Sequence, residues 1–182
     1  MPESSVPIPQ IRPLSLEAAT LAALATLLIE TVADGGSVSF MHPLSRDAAE
    51  AFWTKSLAAA DRGERVVLGA FVAGELCGTV TLLLDGPPNQ PHRGEIAKMM
   101  TARRSRGRGI GSALLAEAER LALANGRTLI NLYTASEEGA AEFYERNGYI
   151  YAGEIPDFAL KPHGGLTGTR IYWKRLGPAA CL

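Results

Sequence analysis

Apolar and polar positions alternate along this chain with two periods, and the changes between them predict an order of elements. Residues 8–14 read as a short strand whose Pro9 and Pro13 suit a sheet edge. Ser15 is placed to cap a helix running to about Thr31, where Ala33-Asp34-Gly35-Gly36-Ser37 breaks it and Val38 to Met41 follow as a partly apolar loop. Ser45 or Asp47 opens a second helix through Phe52, Trp53 and Leu57, ending near Arg62-Gly63. Strands at 65–72 and 75–84 meet at Ala73-Gly74, a hairpin turn. A proline-rich loop leads to a fourth strand at 94–101. The helix behind it carries Leu114, Leu115, Ala118, Leu121 and Ala122 on one face and stops at Asn125-Gly126. A strand at 128–134, a short helix at 137–146 and strands at 149–155 and 166–176 complete the pattern, the last two separated by a loop rich in Pro and Gly. The expectation is one α/β (α+β) domain over residues 1–182, a mixed central sheet of about seven strands flanked by four helices. Its central β-α-β segment should cross over right-handedly between parallel strands.

Composition narrows the classes of function. The 182 residues are 47% hydrophobic and 20% charged with a formal net charge of −1, which makes no global case for nucleic acid or an anionic membrane as partner. Cys77 and Cys181 form no CxxC or Cys/His cluster, so neither a structural disulfide nor a metal site is expected. Met1 to Pro7 lack the basic and apolar regions of a signal peptide, and the longest apolar stretch, around Leu21 to Ile29, is too short to span a bilayer. A cytoplasmic location follows by default. Nothing in the sequence chooses between monomer and homodimer.

Basic residues do cluster locally. Arg106-Gly107-Arg108-Gly109-Ile110-Gly111 stands directly before the helix that starts near Ser112, with Arg103 and Arg104 just upstream. Glycines let the backbone turn tightly and approach a ligand, and a helix start offers free N–H groups and the positive end of the dipole. The expected partner is an anion, best a pyrophosphate. No Gly-Lys-Ser/Thr follows, so this is no Walker A loop. Ser112 takes the third glycine place of a dinucleotide fingerprint, and the next strand ends in Tyr133-Thr134 without an acidic residue for ribose. An RNA-binding Arg/Gly tract would be repetitive and disordered, unlike this short segment between ordered elements. A glycine turn with solvated arginines remains the plain alternative.

Arg106-x-x-Gly109-x-Gly111 resembles the Arg/Gln-x-x-Gly-x-Gly/Ala signature of the GNAT acetyltransferases. Ala140 to Tyr149, with Phe143-Tyr144 and Asn147-Gly148, resemble that family's late helix and following strand, and the order of elements agrees over nearly the whole chain. The resemblance implies a GNAT fold and acetyl-CoA as cofactor, with CoA as product. It implies a pyrophosphate held by the amides of Arg106, Gly107, Arg108, Gly109, Ile110 and Gly111, with Ser112 beside them. Met99, Met100 and Thr101 would take the pantetheine arm on backbone groups exposed where their strand splays from its neighbour. Within the family, Glu30-Thr31-Val32, Gly35 to Met41, Lys98 with Met100, Gly153-Glu154-Ile155-Pro156 and Ile171-Tyr172-x-Lys174 resemble the tabtoxin-resistance branch.

Transfer of acetyl to an amine needs a neutral nucleophile, and an alkyl ammonium has a pKa of about 10, so a base or a desolvating site is required at neutral pH. The resemblance makes Glu95 the base and Tyr144 the proton donor or hydrogen-bond partner of the leaving thiolate. Each has a plain alternative: Glu95 as a strand-end carboxylate paired with Arg93, Tyr144 as a core tyrosine beside Phe143. An amide at Met99 could stabilise an oxyanion. Tyr133 stands where the tabtoxin-resistance branch has an aspartate, and a phenol is no base at neutral pH. It is expected to shape the acceptor pocket with residues of two loops, Phe40 and its neighbours Ser37 to Met41, and Asp157 to His163 before the final strand. Glu137 stands where many GNAT proteins have a cofactor-contacting asparagine. His42, His163, Trp53 and Trp173 read as ordinary loop and core residues.

With no Cys or Ser in a nucleophile motif, direct attack in a ternary complex is favoured. The expectation is an acyltransferase acting on the primary amine of a small molecule, an amino acid or amino-acid-like antibiotic. Acetylation of a protein N-terminus or lysine, and a non-enzymatic CoA-binding module, stay open.

Overall fold

Among the residues that the computed structural model describes, 8–137 and 139–177, seven strands form one mixed sheet. The elements are β1 (Gln10–Pro13), α1 (Ala18–Ala33), α2 (Arg46–Asp61), β2 (Arg65–Val72), β3 (Glu75–Leu83), β4 (Arg93–Thr101), α3 (Ile110–Ala124), β5 (Leu129–Ala135), α4 (Ala140–Arg146), β6 (Ile150–Leu160) and β7 (Leu166–Arg175). The strand order is β1-β2-β3-β4-β5-β7-β6. Only the β4–β5 pair is parallel, joined through α3 as the β-α-β pattern requires. Cys181 and the leader reading of Met1 to Pro7 lie outside the described residues.

The order of elements matches expectation, and several boundaries have visible causes. Ser45 caps α2 by accepting from the Ala48 N–H at 3.2 Å. Ala73 and Gly74 take φ of 50° and 81°, the positive pair that a two-residue hairpin turn needs. Ser15 does not cap α1. Its hydroxyl donates to the Glu17 carboxylate at 2.9 Å, and the helix begins at Ala18 behind an extended Glu17. The penultimate strand is longer than expected: β6 continues through Pro156 to Leu160, leaving only residues 161–165 as a turn. Asp157 therefore sits within a strand and not in a loop, at φ 52°, where the β6–β7 register shifts between Ile155 and Ala159. Pro156 is tolerated because β6 is an edge strand.

Helices cover the two faces unequally. On one face α3 and α4 bury Val80, Leu82, Ile96, Leu114, Ile130 and Leu132, in a core that extends from Leu68 of β2 to Tyr172 of β7. On the other, α1 and α2 bury Leu24, Leu28, Trp53, Leu57, Val67 and Met100, over the β1–β4 half only. Among the described residues no helix is long and apolar enough to cross a membrane.

One ion pair ties the two halves at the back. Lys174 of β7 reaches the Glu119 carboxylate of α3 at 2.7 Å and donates to the Asn147 carbonyl that ends α4 at 2.9 Å. Both side chains are largely buried, so removing the cation strands a carboxylate away from water. Lys174→Ala is expected to lower unfolding stability by about 3 kcal/mol in urea titration.

Candidate active site

The sheet parts at its middle because β4 carries one residue too many. Opposite β3, Thr79 faces Met100 whereas Thr81 faces Ala97, so an extra residue bulges between them, and Lys98 takes φ 51°. Side chains alternate along an unbroken strand, so residues four apart should share a face. Here Ile96 lies in the α3 core and Met100 in the α1/α2 core. Past the bulge, β4 stays with β3 to Thr101, while β5 stays with β7 to Ala135. Their mutual pairing ends at Ile96 and Leu132. The splay expected from sequence is present.

The wedge opens into a cleft of about 1090 Å³. One set of walls is the predicted cofactor segment: Met99, Met100 and Thr101, then Arg106, Gly107, Gly109, Ile110, Gly111 and Ser112. Arg108 is exposed and is not among the lining residues. The glycines serve two purposes. Gly107 and Gly109 both have φ 74°, with open space where a Cβ would stand, so the backbone conformation requires them. A Cβ on Gly111 would come within 2.9 Å of the Phe143 ring, so that glycine allows α3 to approach α4. Gly109 caps α3 without a side-chain hydrogen bond, leaving the first-turn amides directed into the cleft. Arg106 Nε donates to the Thr101 carbonyl at 3.2 Å, folding the loop back on β4.

The other walls include Ser37, Ser39, Glu95, Lys98, Tyr133 and Phe158. Glu95 accepts from Asn131 on β5 at 3.5 Å and lies 3.5 Å from the Arg93 guanidinium. Arg93 in turn makes closer bonds, at 2.6 Å, to Asn131 and Gln90. Glu95 is thus paired with Arg93 and lines the cleft. Tyr144 stands beside the same cleft. It is nearly buried among Phe143, Tyr149 and Tyr172, with ring centroids 5.1, 5.8 and 6.1 Å away, and its side chain lines the cleft. Tyr133, half exposed, is one of the lining residues.

Two expected acceptor contacts fall elsewhere. Phe40 is not a wall residue but packs edge-on against Phe52 at 5.1 Å. Asp157 is also off the walls, and its neighbour Phe158 takes the place. Glu137, 60% exposed, pairs with Lys161 at 2.7 Å and is not in the lining. The two segments expected to supply acceptor contacts, Ser37 to Met41 and Asp157 to His163, include Ser39 and Phe158, which do line the cleft. Lys98 stood out in the sequence only as part of a pattern. Its ammonium donates to Ser39 Oγ at 3.0 Å, and burial pushes its pKa below the usual lysine range against the opposing field of Glu95.

The α1–α2 loop meets the β6–β7 turn. The His42 N–H donates to the Pro162 carbonyl at 2.9 Å, the His42 and His163 rings meet at a tilt of 47° with centroids 4.5 Å apart, and His163 Nε2 lies 3.0 Å from the Ala33 carbonyl. These two histidines join loops and stand outside the lining.

The profile of the Acetyltransferase (GNAT) family matches residues 28–149. Among solved structures, a ribosomal-protein-alanine N-acetyltransferase from Brucella melitensis superposes with a TM-score of 0.77 at 20% identity, covering 91% of this chain and 99% of its own. An acetyltransferase from Salmonella typhimurium, solved with its cofactor acetyl-CoA, gives 0.76 at 17% identity, covering 96% and 98%. An aminoglycoside 6'-N-acetyltransferase complexed with coenzyme A gives 0.72 at 17%, covering 94% and 99%. With its seven-stranded mixed sheet, four helices and splayed central strands, the chain belongs to the GNAT family of acetyl-CoA-dependent N-acetyltransferases.

Proposed function

We propose that the acceptor is the primary amine of a small molecule, an amino acid or an amino-acid-like antibiotic of the kind suggested by the tabtoxin-resistance pattern. Acetyl-CoA supplies a thioester from which an amine can displace the CoA thiol. The cleft residues fit such a donor: uncapped amides at the start of α3 and the Arg106 guanidinium suit a diphosphate. The β4 edge that β5 abandons at residues 99–101 suits the amide-bearing arm. In this reading the Met99 N–H meets charge developing on the carbonyl oxygen. Glu95 takes the proton of the incoming ammonium, and Tyr144 donates to the departing sulfur. No side-chain nucleophile is needed.

The observation that carries the small-molecule acceptor is the closure between His42 and Pro162. It joins the two segments that supply Ser37, Ser39 and Phe158 to the cleft, a tie that favours a small acceptor over a peptide needing an open groove. Peptide acceptance is the second reading, since the Brucella melitensis protein of the same fold is a ribosomal-protein-alanine acetyltransferase.

Thiol release should be measured across amino acids, polyamines, aminoglycosides and N-terminal peptides. Turnover with small amines and none with peptides is the expected result. Turnover confined to peptides would overturn the small-molecule acceptor. Binding of acetyl-CoA without thiol release from any amine would reduce the protein to a cofactor-binding module.

A further inference from the structure

We infer that Lys98 reads a carboxylate, or a like anionic group, on the acceptor, and so restricts the pocket to amines that also carry negative charge. Its substrate role rests on the transferase reading above, whereas its binding role can be tested alone. Three cationic side chains line the cleft: Arg106, Arg146 and Lys98. Arg146 pairs with Glu142 at 3.4 Å, and Arg106 belongs to the diphosphate loop. Lys98 has no such employment. Among the described residues no carboxylate comes within ion-pair distance of its ammonium. Glu95, whose field it feels, is bonded to Asn131 and Arg93 instead.

The ammonium is nevertheless held in place. It has three donors, and the Ser39 hydroxyl takes one at 3.0 Å. The rings of Phe40 and Phe52 lie below it, with centroids at 5.8 and 5.7 Å, which steadies a cation and keeps water off one side. Lys98 and Ser39 both adopt left-handed backbone, at φ 51° and 72°, although neither is glycine. Of the four described non-glycine residues with positive φ, these two are joined by one hydrogen bond at the cleft. Strain of that kind persists where the surroundings over-determine a position. The bulge that opens the sheet also turns Lys98 toward the same face as Glu95, so an anion on Lys98 sits beside the proposed base. An acceptor carboxylate would supply the missing counter-charge through a charge-assisted hydrogen bond in a partly desolvated place.

The test uses matched pairs, L-alanine with L-alaninamide and L-lysine with L-lysinamide, in the wild type, Lys98→Gln and Lys98→Arg. Both variants place a non-glycine residue at the same backbone position, so the charge-keeping one controls for folding. Thiol release should favour each carboxylate over its amide at least about tenfold in kcat/KM, through KM. That ratio should fall toward one in Lys98→Gln and recover in Lys98→Arg. Calorimetry of the same four compounds with the CoA-loaded protein should show the same preference without turnover. A wild type indifferent to the carboxylate in both measurements overturns the assignment, as does a preference that Lys98→Gln retains. A binding preference with no turnover of any amine supports Lys98 and removes the transferase reading. Turnover of neutral amines alone does the reverse.

Discussion

Glu95→Gln is expected to lower kcat by about 10²–10⁴-fold at neutral pH, the usual size of a lost general base. The amide keeps the volume and can still meet Asn131, while Arg93 keeps its closer bonds to Asn131 and Gln90, so the main loss is proton acceptance. An alkyl ammonium with a pKa of about 10 is almost wholly protonated at pH 7, and without a base in the cleft only its scarce neutral form reacts. Residual activity of the variant should therefore climb as pH rises toward that pKa, while the KM for acetyl-CoA stays close to wild type. Tyr144→Phe should cost less, up to about tenfold, because a thiol with a pKa of about 8.5 departs tolerably without help. Full activity of both variants on the best acceptor would show that the proton is handled elsewhere.

The double variant Arg106→Ala, Gly109→Val should raise the Kd for acetyl-CoA at least about a hundredfold by calorimetry. Hydrogen bonds to a charged group contribute about 1.5–3 kcal/mol each, and the pair removes a guanidinium and distorts the amides that follow it. Gly109 stands at φ 74° in open space, so valine is opposed by its backbone and not by a neighbour. The cost to folding should stay near 1–2 kcal/mol, roughly the penalty of left-handed backbone for an L residue. Melting curves separate that cost from lost affinity. Undiminished affinity in a folded protein would remove the diphosphate from this loop.

Much of this molecule was readable in the sequence, because local chemistry marks where elements begin and end. Ala73-Gly74 announced its turn. Asn125-Gly126 and Asn147-Gly148 announced helix ends, where Gly126 and Gly148 take φ of 72° and 83°. The Arg106–Gly111 loop was legible as a tight turn, its Gly107 and Gly109 at positive φ and its Gly111 packed close to Phe143. The parts that escaped depend on tertiary context. Lys98 adopts left-handed backbone that its side chain gives no hint of, so the bulge, and the face on which Lys98 and Met100 emerge, left no mark in the pattern. Pro156 and Asp157 read as loop punctuation, yet pairing with β7 carries the strand through them. That extension puts Phe158, not Asp157, on the cleft wall. The meeting of His42 with Pro162 joins residues far apart in the chain, and neither segment predicts the other.

The short β4–β5 seam has a mechanical consequence. Four residue pairs hold it, against seven between β5 and β7, so the sheet is two stiff plates joined by a compliant strip. On one face the α3 core bridges both plates, and on the other α1 and α2 cover one plate only. Bending is therefore braced on one side and unbraced on the other. Flexing of that strip would change the width of the cleft, with the α3 core as the backing about which the plates move.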